Sequence, residues 1–342
     1  MNITKTIGCS FLLACMIAGL AQAQEFSKVG TSGGQFLKIP IGAKAVSMAG
    51  AFTSIADDYS ALYWNAAGVA AFDRFEVGVT RTEWIAGIAH NYLGMVLPMG
   101  ENGAVAFSAN QVSSGDIEVT TIQSPKGTGT FYNAADLALS ATYSRFIMEN
   151  VSAALTVKYV SERIANTSAQ TVAFDVGVLL RTNFHNMKMG LSFQNFGPSL
   201  QMVGSDLIKT VDLDTKSEIN PLVEADLKTQ TYALPRSYRA SLSMPIIGSG
   251  GVVESQMSSF TAAIDGIHRM DSRERYSIGG EYGFAKTFFV RGGYVFNTDE
   301  EGLTLGAGLT LRSGESSVTV DYAYAAFGVF TSVHVFSLGI RL

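Results

Sequence analysis

The chain has 342 residues, 47% of them hydrophobic and only 15% charged, with a net charge of −5. Mean hydropathy is +0.21 and the pI about 5.4, so the balance offers no basic stripe to nucleic acid. Beyond the first 23 residues no run of about 18 apolar residues exists, which excludes a membrane-spanning helix. Apolar bulk without apolar runs means alternation with polar residues, the pattern of strands with one apolar face.

In chain order, residues 1–23 read as a signal peptide: Lys5 in a basic start, an uncharged apolar stretch from Ile7 to Leu20, and Ala21-Gln22-Ala23 as the cleavage site before Gln24. Leu12-Leu13-Ala14-Cys15 offers a lipobox as the alternative, at the cost of a long apolar tail after the cysteine. Cys9 and Cys15 both lie inside the signal, so the mature chain has no thiol for a disulfide, a nucleophile or a metal. Gly30-Thr31-Ser32-Gly33-Gly34 matches G-x-S-x-G but follows no strand, so it reads as a flexible start and not as a nucleophile elbow.

Residues 24–73 form an N-terminal segment expected to plug a barrel. Between Ile41 and Ala71 the strand pattern stops and small residues take over. Asp57 or Asp58 is placed to cap a short helix through Leu62 and Tyr63, and Asn65 and Gly68 suit its exit. Adjacent carboxylates on one short segment seldom address one substrate, so the pair reads as capping and anchoring ahead of acid–base chemistry.

Residues 74–342 read as the barrel. Alternation predicts strands over 75–83, 87–98, 102–112, 134–146, 151–163, 169–182, 187–196, 235–246, 255–268, 274–283, 287–296, 302–312, 316–326 and 330–342. These are close to the length that crosses a bilayer when tilted, and an even count suits a bacterial barrel. With the N-terminal segment on the periplasmic side, the two longest connections, 113–133 and 197–234, both follow odd-numbered strands and face outward, as long loops do. Glycines within strands, among them Gly279, Gly293 and Gly306, suit bends and the close approach of a plug. The chain ends on Leu342, apolar but not aromatic.

Glu281, Arg291 and Asp321 lie on different strands and can meet in the lumen, as a charge network tying plug to wall or as a transport path. The four histidines, His90, His185, His268 and His334, show no metal-ligand spacing, and no cofactor, metal or catalytic residue is expected. The 197–234 connection mixes charged with apolar residues and reads as a solvated loop or as a docking surface for a protein.

Several runs resemble one family. Gly42-Ala43-Lys44-Ala45, Met48-Ala49-Gly50-Ala51-Phe52, Ala56-Asp57-Asp58, Ser60-Ala61-Leu62-Tyr63-Trp64-Asn65 and Ala67-Gly68 look like the N-terminal signature of PorV/PorQ proteins, relatives of the FadL long-chain fatty-acid transporters. Phe193-Gln194-Asn195-Phe196-Gly197, Ile278-Gly279-Gly280-Glu281-Tyr282, Val290-Arg291-Gly292-Gly293-Tyr294, Gly306-Ala307-Gly308-Leu309 and Val320-Asp321-Tyr322-Ala323-Tyr324 extend the likeness over nearly all of the mature chain. The signature marks Gly42, Ala45, Gly50, Phe52, Asp57, Asp58, Asn65 and Gly68. The chain departs from it in having Asn65-Ala66-Ala67-Gly68 for Asn-Pro-Ala-Gly and Ser47-Met48-Ala49-Gly50-Ala51 for Gly-Met-Gly-Gly-Ala, and losing the proline frees one φ.

The resemblance implies a non-enzymatic, all-β transmembrane barrel of about fourteen antiparallel strands with a short helical N-terminal plug. It places the barrel in the outer membrane of a Gram-negative, Bacteroidetes-like bacterium, in contact with outer-membrane lipid. Its PorV branch implies type IX protein secretion, with the secretion pore and the C-terminal signal domains of cargo proteins as partners. Its FadL branch implies uptake of hydrophobic small molecules, with a ligand or detergent in the lumen, an apolar pocket beside the plug and a lateral opening in the wall.

Overall fold

The computed structural model describes residues 29–212 and 223–342. The expected signal peptide, and Leu213 to Leu222 of the long connection, lie outside the described residues.

Fourteen strands form one closed barrel: β1 (Glu76–Glu83), β2 (Ala89–Pro98), β3 (Ala104–Glu118), β4 (Phe131–Met148), β5 (Val151–Ile164), β6 (Thr167–Arg181), β7 (Lys188–Phe196), β8 (Ser237–Ile247), β9 (Ser258–Arg269), β10 (Arg275–Phe284), β11 (Phe288–Phe296), β12 (Glu301–Ser313), β13 (Ser316–Phe327) and β14 (Ser332–Arg341). Each pairs antiparallel with its neighbours in sequence, and β14 closes on β1 from Glu76↔Arg341 to Glu83↔His334. Closure satisfies every strand edge, which is what hydrocarbon demands of a sheet. The alternation named each strand; the largest difference is that β3 and β4 run on past the expected turn, shortening the 113–133 gap to 119–130. Polarity is inverted relative to a soluble sandwich. Val290, Leu305, Val320 and Phe336 point outward and are about half exposed, while Arg291, Thr304, Asp321 and Ser337 on the same strands point inward and are buried.

The lumen is filled by the N-terminal segment: a 3-10 turn (Gln35–Lys38), α1 (Ala43–Ser47), α2 (Ala61–Trp64) and a second 3-10 turn (Ala66–Ala71). Phe36, Leu37 and Ile39 pack on Val112, Val160 and Leu234 near the odd-numbered loops. Ile41, Met48, Phe52, Tyr59 and Trp64 form the middle of the core. Ala67 and Val69 pack on Ala104 and Ala154 beside the even-numbered turns. The segment therefore threads the barrel from the odd-loop mouth to the even-turn foot before β1 begins. Only its C-terminal end lies on the even-turn side, a path on which local composition carries no information.

Gly30 to Gly34 is also not a flexible start. Gly33 N donates to Ala233 O at 2.9 Å, Gly34 N to Glu162 Oε1 at 2.7 Å, and Ser32 Oγ to Asp271. These bonds strap the segment across the mouth.

Inward-facing glycines let helix and wall touch backbone to backbone. A Cβ on Gly279 or Gly293 would overlap the Met48 backbone, and one on Gly306 the Ser47 side chain. Thr304 Oγ1, in the same stripe, donates to Ser47 O at 2.9 Å.

Candidate functional site

The two ends of the plug differ in chemistry. At the foot, β10 and β11 set Glu281 opposite Arg291, while β12 and β13 set Gly308 opposite Asp321. A side chain at Gly308 would overlap both Asp321 and the Arg291 guanidinium, so its absence lets Arg291 reach across β12. Arg291 Nε lies 2.6 Å from Glu281 Oε2, and Nη1 lies 2.6 Å from Asp321 Oδ1. Lys44 of α1 joins them, 2.8 Å from Asp57 Oδ1 and 3.7 Å from Glu281 Oε2. Glu76 Oε1 accepts from Tyr59 N at 2.8 Å, and its other oxygen accepts from Arg341 Nε at 2.8 Å. The network ties plug to wall, and the three expected lumen charges meet within it.

Asp57 does the anchoring expected of the pair, and Asp58 caps the turn that leads into α2 and not the helix itself. Asp57 pairs with Lys44. Burial would raise its carboxyl, but Lys44 and Lys188 hold it down at about 2. Asp58 Oδ1 accepts from Ser60 N at 2.8 Å and Ser60 Oγ at 2.5 Å, which closes an Asx turn two residues ahead and leaves α2 without a side-chain cap. Burial pushes Asp58 up to about 7, with the Asp57 and Glu76 carboxylates adding to it against Lys44.

The other signature residues serve packing. Gly42 (φ 87°) turns into α1 with Ser60 where its Cβ would be, and Gly50 (φ 77°) lies under the Trp64 ring. Ala45 and Phe52 are fully buried, with Phe52 edge-on to Trp64 at 6.4 Å. Asn65 follows α2 and caps the second 3-10 turn, accepting from Ala67 N at 3.2 Å. Its amide donates to Thr53 O and Val178 O, both at 3.0 Å. Gly68 sits inside that turn against the Ala56 carbonyl, not at a helix exit.

The mouth side holds what the sequence reading missed. A cavity of about 60 Å³ lies between plug and wall, bounded by Tyr63, Trp64, Trp84, Phe327, Arg239 and Arg269 among others. Arg239 and Arg269 are 7% and 9% exposed, and neither forms an ion pair with a carboxylate among the described residues. The Arg239 guanidinium lies 4.6 Å from the Trp64 ring centre and 5.7 Å from that of Tyr63, and its Nε has no hydrogen-bond partner. Asp265 also borders the cavity, but its carboxylate accepts from Thr53 N at 3.3 Å. A vestibule of about 660 Å³ adjoins toward the odd loops, lined by Phe36, Ile39, Ile88 and Asp136, and it shares Lys38, Arg269, Arg275 and Glu301 with the cavity. The missed signal was parity: Arg239 occupies the same face of β8 as Ser237, Ser241 and Ser243, so it points inward.

The ladder is hydrogen-bonded around the whole ring, with register shifts such as those at Ser113/Asp116 and Phe174/Val176. The lateral opening implied by the FadL branch is not present as a break in this ladder.

A sequence profile matches residues 13–342. The chain belongs to the uncharacterised protein family UPF0164. No curated protein sequence matches this UPF0164 chain. Its fold is similar to a FadL homologue from Pseudomonas aeruginosa, at 13% identity and TM-score 0.50, over 87% of this chain and 97% of the other. It is also similar to the toluene transporter TbuX of Ralstonia pickettii (11%, TM-score 0.51, 88% and 97%) and the toluene transporter TodX of Pseudomonas putida (13%, TM-score 0.51, 88% and 96%). The UPF0164 chain thus has the fold of FadL-like outer-membrane barrels.

Proposed function

We propose that this chain is an outer-membrane channel that takes up hydrophobic small molecules carrying an anionic head group, held during passage in the cavity beside the plug. The observation that supports this is the pair of buried arginines among aromatic rings, neither of which has an ion-pair partner among the described residues. A guanidinium taken out of water without an anion costs several kcal/mol, so such a pair is retained where a ligand supplies the charge. The sizes agree: the 60 Å³ cavity suits a head group and the 660 Å³ vestibule a chain. Two similar structures are named as transporters of toluene, a neutral molecule. The arginines here favour an anion.

The chain has two tryptophans, Trp64 and Trp84, and both line the cavity. A bromine-labelled long-chain carboxylate added to the full mature protein in a neutral detergent is therefore expected to quench tryptophan emission saturably, and the matching brominated alcohol is not. Quenching that never saturates, or that is equal for both, overturns the reading.

A second reading follows the PorV/PorQ resemblance, with the β7–β8 connection as a docking surface for cargo or the secretion pore. Its support is an exposed hairpin, Ile208–Val211 against Val223–Asp226, whose strands pair only with each other. Free strand edges accept another chain. Deleting 205–227 is expected to abolish co-purification with a large secretion barrel while the barrel stays heat-modifiable; retained co-purification removes this reading.

A further inference from the structure

The partition between vestibule and cavity is made of paired charge. Lys38, on the strap across the mouth, borders both spaces, and its Nζ lies 3.0 Å from Asp271 Oδ2. Arg275 also borders both and is ion-paired to Glu301. The Trp84 and Phe327 rings, 5.2 Å apart and edge to face, complete the barrier. Arg269 borders both spaces as well, and Arg239 lies on the cavity alone; among the described residues neither has a carboxylate within ion-pair distance. Three cations therefore face both spaces, two of them held by an internal carboxylate, and Arg239 lies deeper.

We propose that this partition is a charge-exchange gate. An anionic head group arriving in the vestibule replaces Asp271 on Lys38 and Glu301 on Arg275. Each internal pair opens only when the incoming anion takes its place. The head group then passes Arg269, which faces both spaces, and moves on to Arg239 in the cavity, and the internal pairs re-form behind it. A neutral solute of the same shape has nothing to exchange and meets a closed barrier. Discrimination thus rests on the rate of admission as well as on affinity. The geometry of the strap supports a local motion: Asp271 Oδ2 also takes Ser32 Oγ and Gln35 Nε2, the latter at 3.0 Å, so the strap remains tied when Lys38 leaves.

This inference rests on the cavity being the ligand site, and rapid mixing separates the two. The probe is the brominated long-chain carboxylate, the protein is the full mature chain in neutral detergent, and the readout is the rate and extent of tryptophan quenching. Lys38→Met is expected to slow quenching about tenfold, the worth of one charge-assisted hydrogen bond, while its final extent changes little. Lys38→Arg keeps the charge and is expected to restore the rate. Glu301→Gln removes the competitor for Arg275 and is expected to speed quenching several-fold. If all three variants quench at the wild-type rate and to the same extent, the gate is wrong and the ligand site stands. If the wild type shows no saturable quenching, the site fails and the gate with it. Retained heat-modifiable mobility identifies the variants that have folded, and Glu301→Gln serves as the independent arm should Lys38→Met unfold.

Discussion

At the foot of the lumen Arg291 lies between two carboxylates, 2.6 Å from each, and Lys44 and Arg341 are matched in the same way. At the mouth, Arg239 and Arg269 lie in a cavity among Trp64, Tyr63 and Phe327, and among the described residues no carboxylate lies within ion-pair distance of either. Both regions bury guanidinium groups inside the same ring of strands. A paired buried charge completes a structure, because every lone pair and proton around it is used. An unpaired one leaves the structure incomplete until something from outside supplies the anion. The comparison separates the charges that hold the plug from those that could hold a ligand, although both read alike as inward strand arginines.

The largest effect that tests this contrast is on stability. Arg291→Met leaves Glu281 and Asp321 buried with only Lys44 near one of them, and is expected to cost about 3–5 kcal/mol in denaturant unfolding. Arg239→Met breaks no ion pair and leaves Asp265 hydrogen-bonded to Thr53, and is expected to cost far less than Arg291→Met. Equal losses in the two variants would erase the distinction. Binding should invert the order: Arg239→Met is expected to weaken the brominated carboxylate by about 1.5–3 kcal/mol, tenfold or more, in equilibrium tryptophan quenching. Arg291→Met, where it folds, is expected to leave that affinity alone.

A smaller effect shows that shape, not charge, seats the plug between these two ends. Gly293 and Gly292 are adjacent on β11, but Gly293 faces the Met48–Ala49 backbone while Gly292 faces outward with only ordinary contacts. Gly293→Val is expected to cost about 1–3 kcal/mol and to expose the N-terminal segment to protease, whereas Gly292→Val should do neither. Protease sensitivity equal in both would mean that the backbone contact carries no weight.

How much of this was legible in the sequence follows from where the information lies. All fourteen strands were readable because a period of two survives in each, even through the glycines of Phe288–Phe296. The meeting of Glu281, Arg291 and Asp321 was readable as a possibility, since their parities match on neighbouring strands. The path of the plug was not, because residues 41–71 carry no periodicity and their partners are spread over the whole ring. Asp58 looked like a helix cap, but the short side chain reached Ser60 first, and α2 is one turn long. Arg239, Arg269 and Arg275 each lie near a strand end, where few alternating residues remain to fix the side on which an arginine falls. Parity would have turned Arg239 inward. Only the three-dimensional ring shows that Asp265, the carboxylate on the same cavity, is turned to Thr53 and stops short of an ion pair with it.

The smallest effect lies within the foot, between two adjacent aspartates of opposite behaviour. Asp57 is held at about 2 by its lysines, so its contribution to seating the plug is present above about pH 4, the ordinary carboxylate value, and fades as the pH falls toward 2. Asp58 is raised to about 7, chiefly by burial and then by Asp57 and Glu76. The seated plug therefore holds a proton on Asp58 that a released plug gives up near pH 4. The seated form is favoured at low pH, and that advantage is lost as the pH rises from about 4 through about 7. Each pKa unit is worth about 1.4 kcal/mol, and solvent screening at the half-buried Asp58 reduces the sum to about 1–2 kcal/mol. Hydrogen exchange of the α1–α2 amides, corrected for the intrinsic pH dependence, is expected to show more protection at pH 5.5 than at pH 8. Asp58→Asn should flatten that difference by fixing the neutral form, while Asp57→Asn should leave it in place and lower protection at both values. A pH difference that persists unchanged in Asp58→Asn would assign the titration to another group and leave the foot as a network whose charges are all matched at neutral pH.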